Sequence, residues 1–352
     1  MSAGRVPAAE ERSPFVMRTP APRPRARGRT RGRIREAPQS EPAASPVDVA
    51  PVAAEPTPGR AAHRPDAPAA EPTVGSAAGV PASGRIVFAS RRDSNAQLYV
   101  VDASGTNLRR LTHDRADDED PSWSPDGRSI AFTSNRDGSL EVYAMAVDGR
   151  RVQRLTRTDA DEHSPAWSPD GRAIAFATDR DDGDWEVYVM DADGSNPRNL
   201  TRQRGWDDSP SWSPDGARIA FISRRDGSAQ IYVMGADGAN PTRLTHDDHQ
   251  HALGVNAWSP DGKQLVYVAE IDGQSEICVM EADGANPRQL TDGNARTQAV
   301  EVSAGWSPDG ASIVFVSDRE GDSDLFVMRA DGSEPRNVTF AAGEDYAPAW
   351  AR

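Results

Sequence analysis

The stretch WSPDGRSIAFTS, residues 123–134, begins as a turn and ends as a strand. Ser, Pro and Gly at the first, second and fourth positions suit a type I turn. The run that follows, Ile130-Ala131-Phe132-Thr133, is short, apolar and β-prone. The opening phrase returns at Trp167–Gly171, Trp212–Gly216, Trp258–Gly262 and Trp306–Gly310, and a sixth tryptophan, Trp350, is followed by two residues. The intervals between these six are 44, 45, 46, 48 and 44 residues. Self-similarity at such a period marks a radial or solenoid array.

Each unit repeats one grammar. A segment ending in Trp leads through the turn into a run such as AIAFAT or SIVFVS; a charged turn follows, then a second apolar run such as EVYVMD or DLFVMR. An Asp-Gly turn then leads to a Leu-Thr or Val-Thr pair. These runs are bounded by Gly, Pro, Asp and Asn, and none has sustained helical periodicity. Four strands per unit, repeated radially, make a β-propeller. The first unit, from RIVFAS at 85–90, has no Trp strand ahead of it, and the chain's last strand, at Trp350, has no blade behind it. Joining the two predicts an all-β, six-bladed β-propeller over 85–352, closed by the C-terminal strand in the first blade with no free edge between the chain ends.

Net charge is −14 over 352 residues, unevenly spread. Residues 1–84 hold 12 Arg against 8 Asp and Glu, a charge of +4, so the remainder carries −18. The segment 1–84 is rich in Ala, Pro and Arg and poor in large apolar residues, which predicts a disordered N-terminal tail. Arg stands at every second position from Arg23 to Arg35. That run reads as a solvated tail, with an arm for anionic partners as the alternative; it has no aromatics to stack on bases, so no specific nucleic-acid binding is expected. No stretch reads as a signal peptide or membrane span, which predicts a cytoplasmic, monomeric protein. A lone Cys278 excludes an intrachain disulfide framework.

The repeats PSWSPDGRSIAFTSNRDGSLEVYAMAVDG and PAWSPDGRAIAFATDRDDGDWEVYVMDADGSNPRNLT resemble the WD40-like (PD40) propeller repeat of the TolB family. The resemblance covers residues 85–352 and implies a bacterial protein-binding scaffold of the kind found in envelope complexes. It also makes an extracytoplasmic location the alternative to a cytoplasmic one. Similar propellers precede peptidase or amidohydrolase domains in larger enzymes.

Five copies of one phrase argue that its Ser and Asp shape a turn, and no strand–elbow–helix context surrounds Ser307 in GWSPDG, so no catalytic motif is found. Five residues before each Trp stand Asp118, Glu162, Asp207, Leu253, Glu301 and Asp345. Thirteen after each stand Arg136, Arg180, Arg225, Ile271 and Arg319, and ring closure assigns Arg92 to Trp350. The one blade without the acid also lacks the Arg, which predicts structural acid–Arg pairs within blades; a ring of carboxylates holding a metal or ligand is the alternative. The loops before Trp258 and Trp306 run longest, so they are expected to sit side by side at the mouth. His246, Asp247, Asp248, His249 and His251 in the first are the candidate partner-binding residues, and their density also fits a transition metal. DRDDGD at 179–184 resembles part of a calcium loop without its full spacing. No cofactor is expected.

The residues just before each Trp are Ser122, Ala166, Ser211, Ala257, Gly305 and Ala349, which predicts a channel lined by small side chains. The expected function is therefore a non-enzymatic propeller that binds a protein or peptide with a basic segment at an acidic channel mouth. The alternative, a hydrolase or lyase with a metal or polar site in the channel, requires His, Asp, Glu or Asn to converge there.

Overall fold

A computed structural model describes residues 84–351 apart from 182, 293–300 and 341, with the backbone alone at 301 and 302. The tail read as disordered, the middle of the 291–305 loop and the side chain of Glu301 lie outside the described residues. Among the described residues every regular element is a strand.

The strands form six four-stranded antiparallel sheets. Blade 1 takes β1 (Arg85–Ser90), β2 (Gln97–Asp102) and β3 (Arg109–Arg110). Blade 2 is β4 (Asp118–Trp123), β5 (Ser129–Ser134), β6 (Glu141–Ala146) and β7 (Gln153–Arg154). Blade 3 is β8 (Glu162–Trp167), β9 (Ala173–Thr178), β10 (Glu186–Asp191) and β11 (Arg198–Asn199). Blade 4 is β12 (Asp207–Trp212), β13 (Arg218–Ser223), β14 (Gln230–Gly235) and β15 (Thr242–Arg243). Blade 5 is β16 (His251–Ala252), β17 (Gln264–Ile271), β18 (Gln274–Glu281) and β19 (Arg288–Gln289). Blade 6 is β20 (Glu301–Trp306), β21 (Ser312–Ser317), β22 (Asp324–Arg329) and β23 (Arg336–Asn337). The last strand, β24 (Asp345–Trp350), pairs antiparallel with β1 and completes blade 1, as the split first unit predicts.

The repeated phrase is a turn in each of its five copies. In the first copy Gly127 N–H donates to Ser124 O at 2.9 Å, and Asp126 Oδ1 accepts from Ser124 Oγ at 2.7 Å and from Arg128 N at 3.0 Å. The tryptophan before it is core: Trp123, Trp212, Trp258, Trp306 and Trp350 are buried. Trp123, Trp212 and Trp258 each donate Nε1–H to a carbonyl of the preceding blade, at 3.1–3.2 Å. The Leu-Thr or Val-Thr pair caps the third strand in all six blades, because its Thr Oγ1 accepts the amide of that strand's second residue, or of Ile277, the fourth residue of the longer β18, in blade 5. The Asp-Gly glycine after the third strand meets the preceding blade. At Gly194 (φ 90°) an added Cβ would stand 2.5 Å from Leu155 O, so no larger residue fits without backbone movement.

The innermost strands share one irregularity. Their register shifts three residues before the Trp, where Asp120, Ser164, Ser209, Ser303 and Ala347 adopt φ of 49–59°. Left-handed backbone at a non-glycine residue costs about 1–2 kcal/mol. The bulge re-aims side chains near the top of each innermost strand.

Blade 5 departs from this pattern. In the other described blades the first residue of the innermost strand donates its amide to the preceding blade: Asp118 to Ala96 O, Glu162 to Leu140 O, Asp207 to Trp185 O and Asp345 to Ser323 O. In blade 5 the donor is His251, to Ala229 O. The two extra residues before Trp258 therefore fall after His251, inside the innermost strand, and not in the surface loop as expected.

Candidate functional site

The acid–Arg pairs come first in the geometry of the mouth. Arg136 Nη2 donates to Asp118 at 2.8 Å, Arg180 to Glu162 at 3.0 Å, Arg225 to Asp207 at 2.9 Å and Arg92 to both oxygens of Asp345 at 2.9 and 2.7 Å. Each Arg also lies over two rings of its own blade, as Arg136 does over Phe132 and Tyr143 at 5.4 and 4.9 Å. Arg319 keeps the ring contacts, over Phe315 and Phe326 at 5.2 and 5.0 Å, while its pairing with Glu301 lies outside the described residues. All four described acids are buried, and burial raises their carboxyl pKa values despite the facing guanidinium. These groups hold turns in place and leave little for a ligand to touch.

Blade 5 puts His251 at the acid's register position, opposite Ala269 of β17. Leu253 and Ile271 share an apolar cluster, but the residue that replaces the acid is the histidine. His251 is 2% exposed, its ring lies 5.7 Å from that of Tyr267, and burial pushes its pKa down. Of the candidate partner-binding residues, His246, Asp247 and Asp248 are exposed and His249 is half-buried, whereas His251 belongs to the core. No three His, Cys, Asp or Glu side chains among the described residues are placed to hold a metal.

The extra residues of blade 5 reach three other blades. Val255 O accepts from Ser211 Oγ of blade 4 at 2.9 Å, Asn256 O from Trp306 N of blade 6 at 2.9 Å, and Asn256 Oδ1 from Trp350 N of blade 1 at 2.9 Å. Val255 also packs on the cluster that joins blades 1 and 2. The segment is thus bonded to three other blades, one of them not its neighbour.

Titratable side chains gather on the innermost strands of blades 1 to 4, around the central funnel that the propeller architecture leaves. Four residues before the Trp stand Tyr346, Glu119, His163 and Asp208 in those blades, against Gly254 in blade 5. Tyr346 Oη and Arg91 Nη2 each donate to Glu119 Oε1 at 2.5 Å, and Arg91 also lies 3.5 Å from Asp117. His163 Nδ1 is 3.0 Å from Ser164 Oγ and 3.3 Å from Asp208 Oδ1. Asp120 accepts from Ser164 N at 3.3 Å. Part of Asp120 stays accessible, yet its carboxyl pKa is pushed up to about 6, by burial first and by the Glu119 and Asp208 charges against the opposing pull of His163. The residues next to each Trp are buried in the blades, and the titratable groups stand three and four positions before it.

Beside this wall runs an aromatic stack. His163 packs on Trp185 at 4.1 Å, Trp185 on Trp206 at 6.3 Å and 19°, and Arg224 covers Trp206 at 5.0 Å. Trp185 and Trp206 are the two tryptophans outside the repeat register. The other blades have Ala96, Leu140, Ala229, Ser275 and Ser323 where blade 3 has Trp185. The stack pins the imidazole, and its far end is the exposed Arg224.

A family model described as the TolB beta propeller domain matches residues 67–165, 159–255 and 248–352. The chain belongs to the TolB beta-propeller family. A 48-residue stretch is 40% identical to the Tol-Pal system protein TolB of Geobacter sulfurreducens, covering 14% of this chain and 11% of that protein. The crystal structure of TolB from Acinetobacter baumannii superposes with a TM-score of 0.67 at 26% identity, over 76% of this chain and 66% of that one. The putative TolB from Agrobacterium tumefaciens gives 0.61 at 23% identity, over 74% and 91%, which speaks to the fold alone. The chain thus spans a small part of the curated TolB it matches and under two thirds of the Acinetobacter protein. Among the described residues no helix is long and apolar enough to cross a membrane.

Proposed function

We propose that this TolB-family propeller is a non-enzymatic scaffold that binds a protein or peptide through a basic side chain entering the funnel. The observation that carries this reading is the charge imbalance of the wall. Glu119, Asp117, Asp120 and Asp208 face one arginine, Arg91, and one histidine, His163. A guanidinium or ammonium group would compensate the surplus, and the −18 body would steer it there. The name of the Geobacter relative supports a search for partners among envelope proteins, and with it an extracytoplasmic setting. The test is fluorescence anisotropy with a labelled arginine-rich peptide. Asp208→Asn and Glu119→Gln should each weaken binding about tenfold or more at low salt, and binding should fall as salt rises. Equal affinity of parent and variants for the peptide would refute the reading.

A second reading has its own support. His163 with Nδ1 against Asp208, beside a carboxyl that titrates near 6, is an arrangement suited to proton transfer. It favours a hydrolase or lyase, with His163 and Asp120 as the acid–base groups. Turnover of any ester, peptide or glycan in a substrate panel, lost in His163→Gln, would establish it.

A further inference from the structure

The seams between blades hold a second set of buried acids. The amide bonds that hook each blade to the one before it place the first residue of the innermost strand against the first residue of the preceding third strand. The residues so paired by position are Gln97 and Asp118, Glu141 and Glu162, Glu186 and Asp207, Gln230 and His251, and Asp324 and Asp345. Blade 3 has acid against acid at both of its seams. Glu141, Glu162 and Asp207 are 0% exposed and Glu186 is 5% exposed.

Between blades 2 and 3, Glu141 and Glu162 stand side by side across the seam, both fully buried and both bonded to Thr158. Two buried carboxyl groups so placed disfavour a second negative charge, so one proton is retained. Thr158 ties the pair together, its amide on Glu141 Oε1 at 2.8 Å and its hydroxyl on Glu162 Oε1 at 2.7 Å. Arg154 faces Glu141, while Arg180 at 3.0 Å and Thr178 at 3.0 Å face Glu162. Oε2 of each glutamate is buried without a hydrogen-bond partner. Between blades 3 and 4, Glu186 receives the Thr201 hydroxyl and the amides of Arg202 and Gln203, and faces the Asp207 charge. Arg225 pairs with Asp207, leaving Glu186 no cation of its own among these contacts.

We propose that blade 3 is a proton-held panel: its two seams each retain a proton on facing acids, and losing those protons loosens the blade and the His163 wall it carries. Burial raises the carboxyl pKa of both Glu162 and Glu186 to about 7, with the Glu141 and Asp207 charges adding to it. The sign follows. An acid whose folded pKa is raised contributes stability that is complete below about 4.5 and is lost as pH rises through about 7. Blades 1 and 4 carry glutamine at the equivalent position, Gln97 and Gln230, so the fold accepts a permanently neutral group there.

Hydrogen exchange on the full chain at about pH 6 and pH 8, corrected for intrinsic rates, tests this. Protection in β8 to β10 should fall about tenfold more than in β13 and β14. Glu186→Gln should remove a large part of that loss, and Glu141→Gln with Glu186→Gln nearly all of it. If the double variant does not fold because Arg154 loses its partner, Glu186→Gln alone decides. Protection in the parent that does not change with pH, falls equally in every blade, or falls unchanged in Glu186→Gln would overturn the proposal. These outcomes do not depend on what the funnel binds.

Discussion

Trp350→Ala should be among the most damaging single substitutions in the chain. Trp350 is 1% exposed and sits with Ile86, Phe88, Tyr99 and Val101 of blade 1 and Val314, Val316, Leu325 and Val327 of blade 6. Truncating a buried tryptophan costs about 3–5 kcal/mol. At about 2–4 °C per kcal/mol for a domain of this size, the melting temperature should drop by about 6–20 °C. Removing residues 345–352 should do more. It deletes the Trp, unpairs β1 from Ile86 to Ser90, leaves the Arg92 guanidinium without Asp345, and removes the carbonyl of Ala349 that accepts from Trp123. A propeller so opened presents an unpaired strand at a seam that was closed.

The assay is thermal unfolding followed by near-ultraviolet circular dichroism, with Phe340→Ala as the control. Phe340 is 60% exposed, so its truncation should move the melt by no more than about 2 °C. If Trp350→Ala melted with that control, or the truncated chain melted with the parent, β24 would not be the strand that holds the ring. A parent-like melt with a small early transition confined to blade 1 would refute the cooperative closure while leaving the pairing intact.

Three further outcomes follow from the mouth and the hub. Arg225→Ala strands the buried Asp207 carboxylate and should cost about 3–5 kcal/mol in urea unfolding, while Arg225→Ala with Asp207→Asn should cost less than the two single effects added together. Asp120→Asn should raise stability above about pH 6 by about 1–3 kcal/mol and leave it unchanged near pH 4, since the raised carboxyl pKa of Asp120 penalises the folded state only where it must ionise; a pH-independent effect would point to lost hydrogen bonds instead. Asn256→Ala removes the acceptor of the Trp350 amide and should cost about 1–3 kcal/mol, read as a lower urea midpoint with unchanged slope.

Much of this molecule is legible in its sequence because the repeat states the same physical requirement several times over. Proline and glycine in the Trp-Ser-Pro-Asp-Gly turn, continuous apolar runs in the second and third strands, and the glycine that clears a neighbouring carbonyl recur in blade after blade. The missing strand of the first unit and the orphan strand of the last fix the closure by subtraction. The acid and arginine positions stand out the same way, since five acids and five arginines repeat at constant offsets. The funnel does not stand out, because its residues do not repeat. Tyr346, Glu119, His163 and Asp208 share an offset and no chemistry. The usable signal is positional: two tryptophans lie outside the 44–48-residue spacing, Trp185 within the blade that carries His163 and Trp206 just before the next blade.

Blade 5 shows why spacing alone misplaces a residue. Two extra residues before Trp258 look like a longer surface loop, and a histidine-rich loop looks like a binding site. Backbone hydrogen bonding decides otherwise, since the hook to blade 4 must be made by whichever amide reaches Ala229 O, and that amide belongs to His251. Once the hook is set, the surplus has one place to go, into the hub, where its polar groups must find partners or be left buried without them. Asn256 and Val255 find them on blades 4, 6 and 1. The same insertion therefore ties blade 5 to three other blades, while the non-repeating acids and His163 stand on the innermost strands of blades 1 to 4. A propeller of six identical blades would have had neither feature.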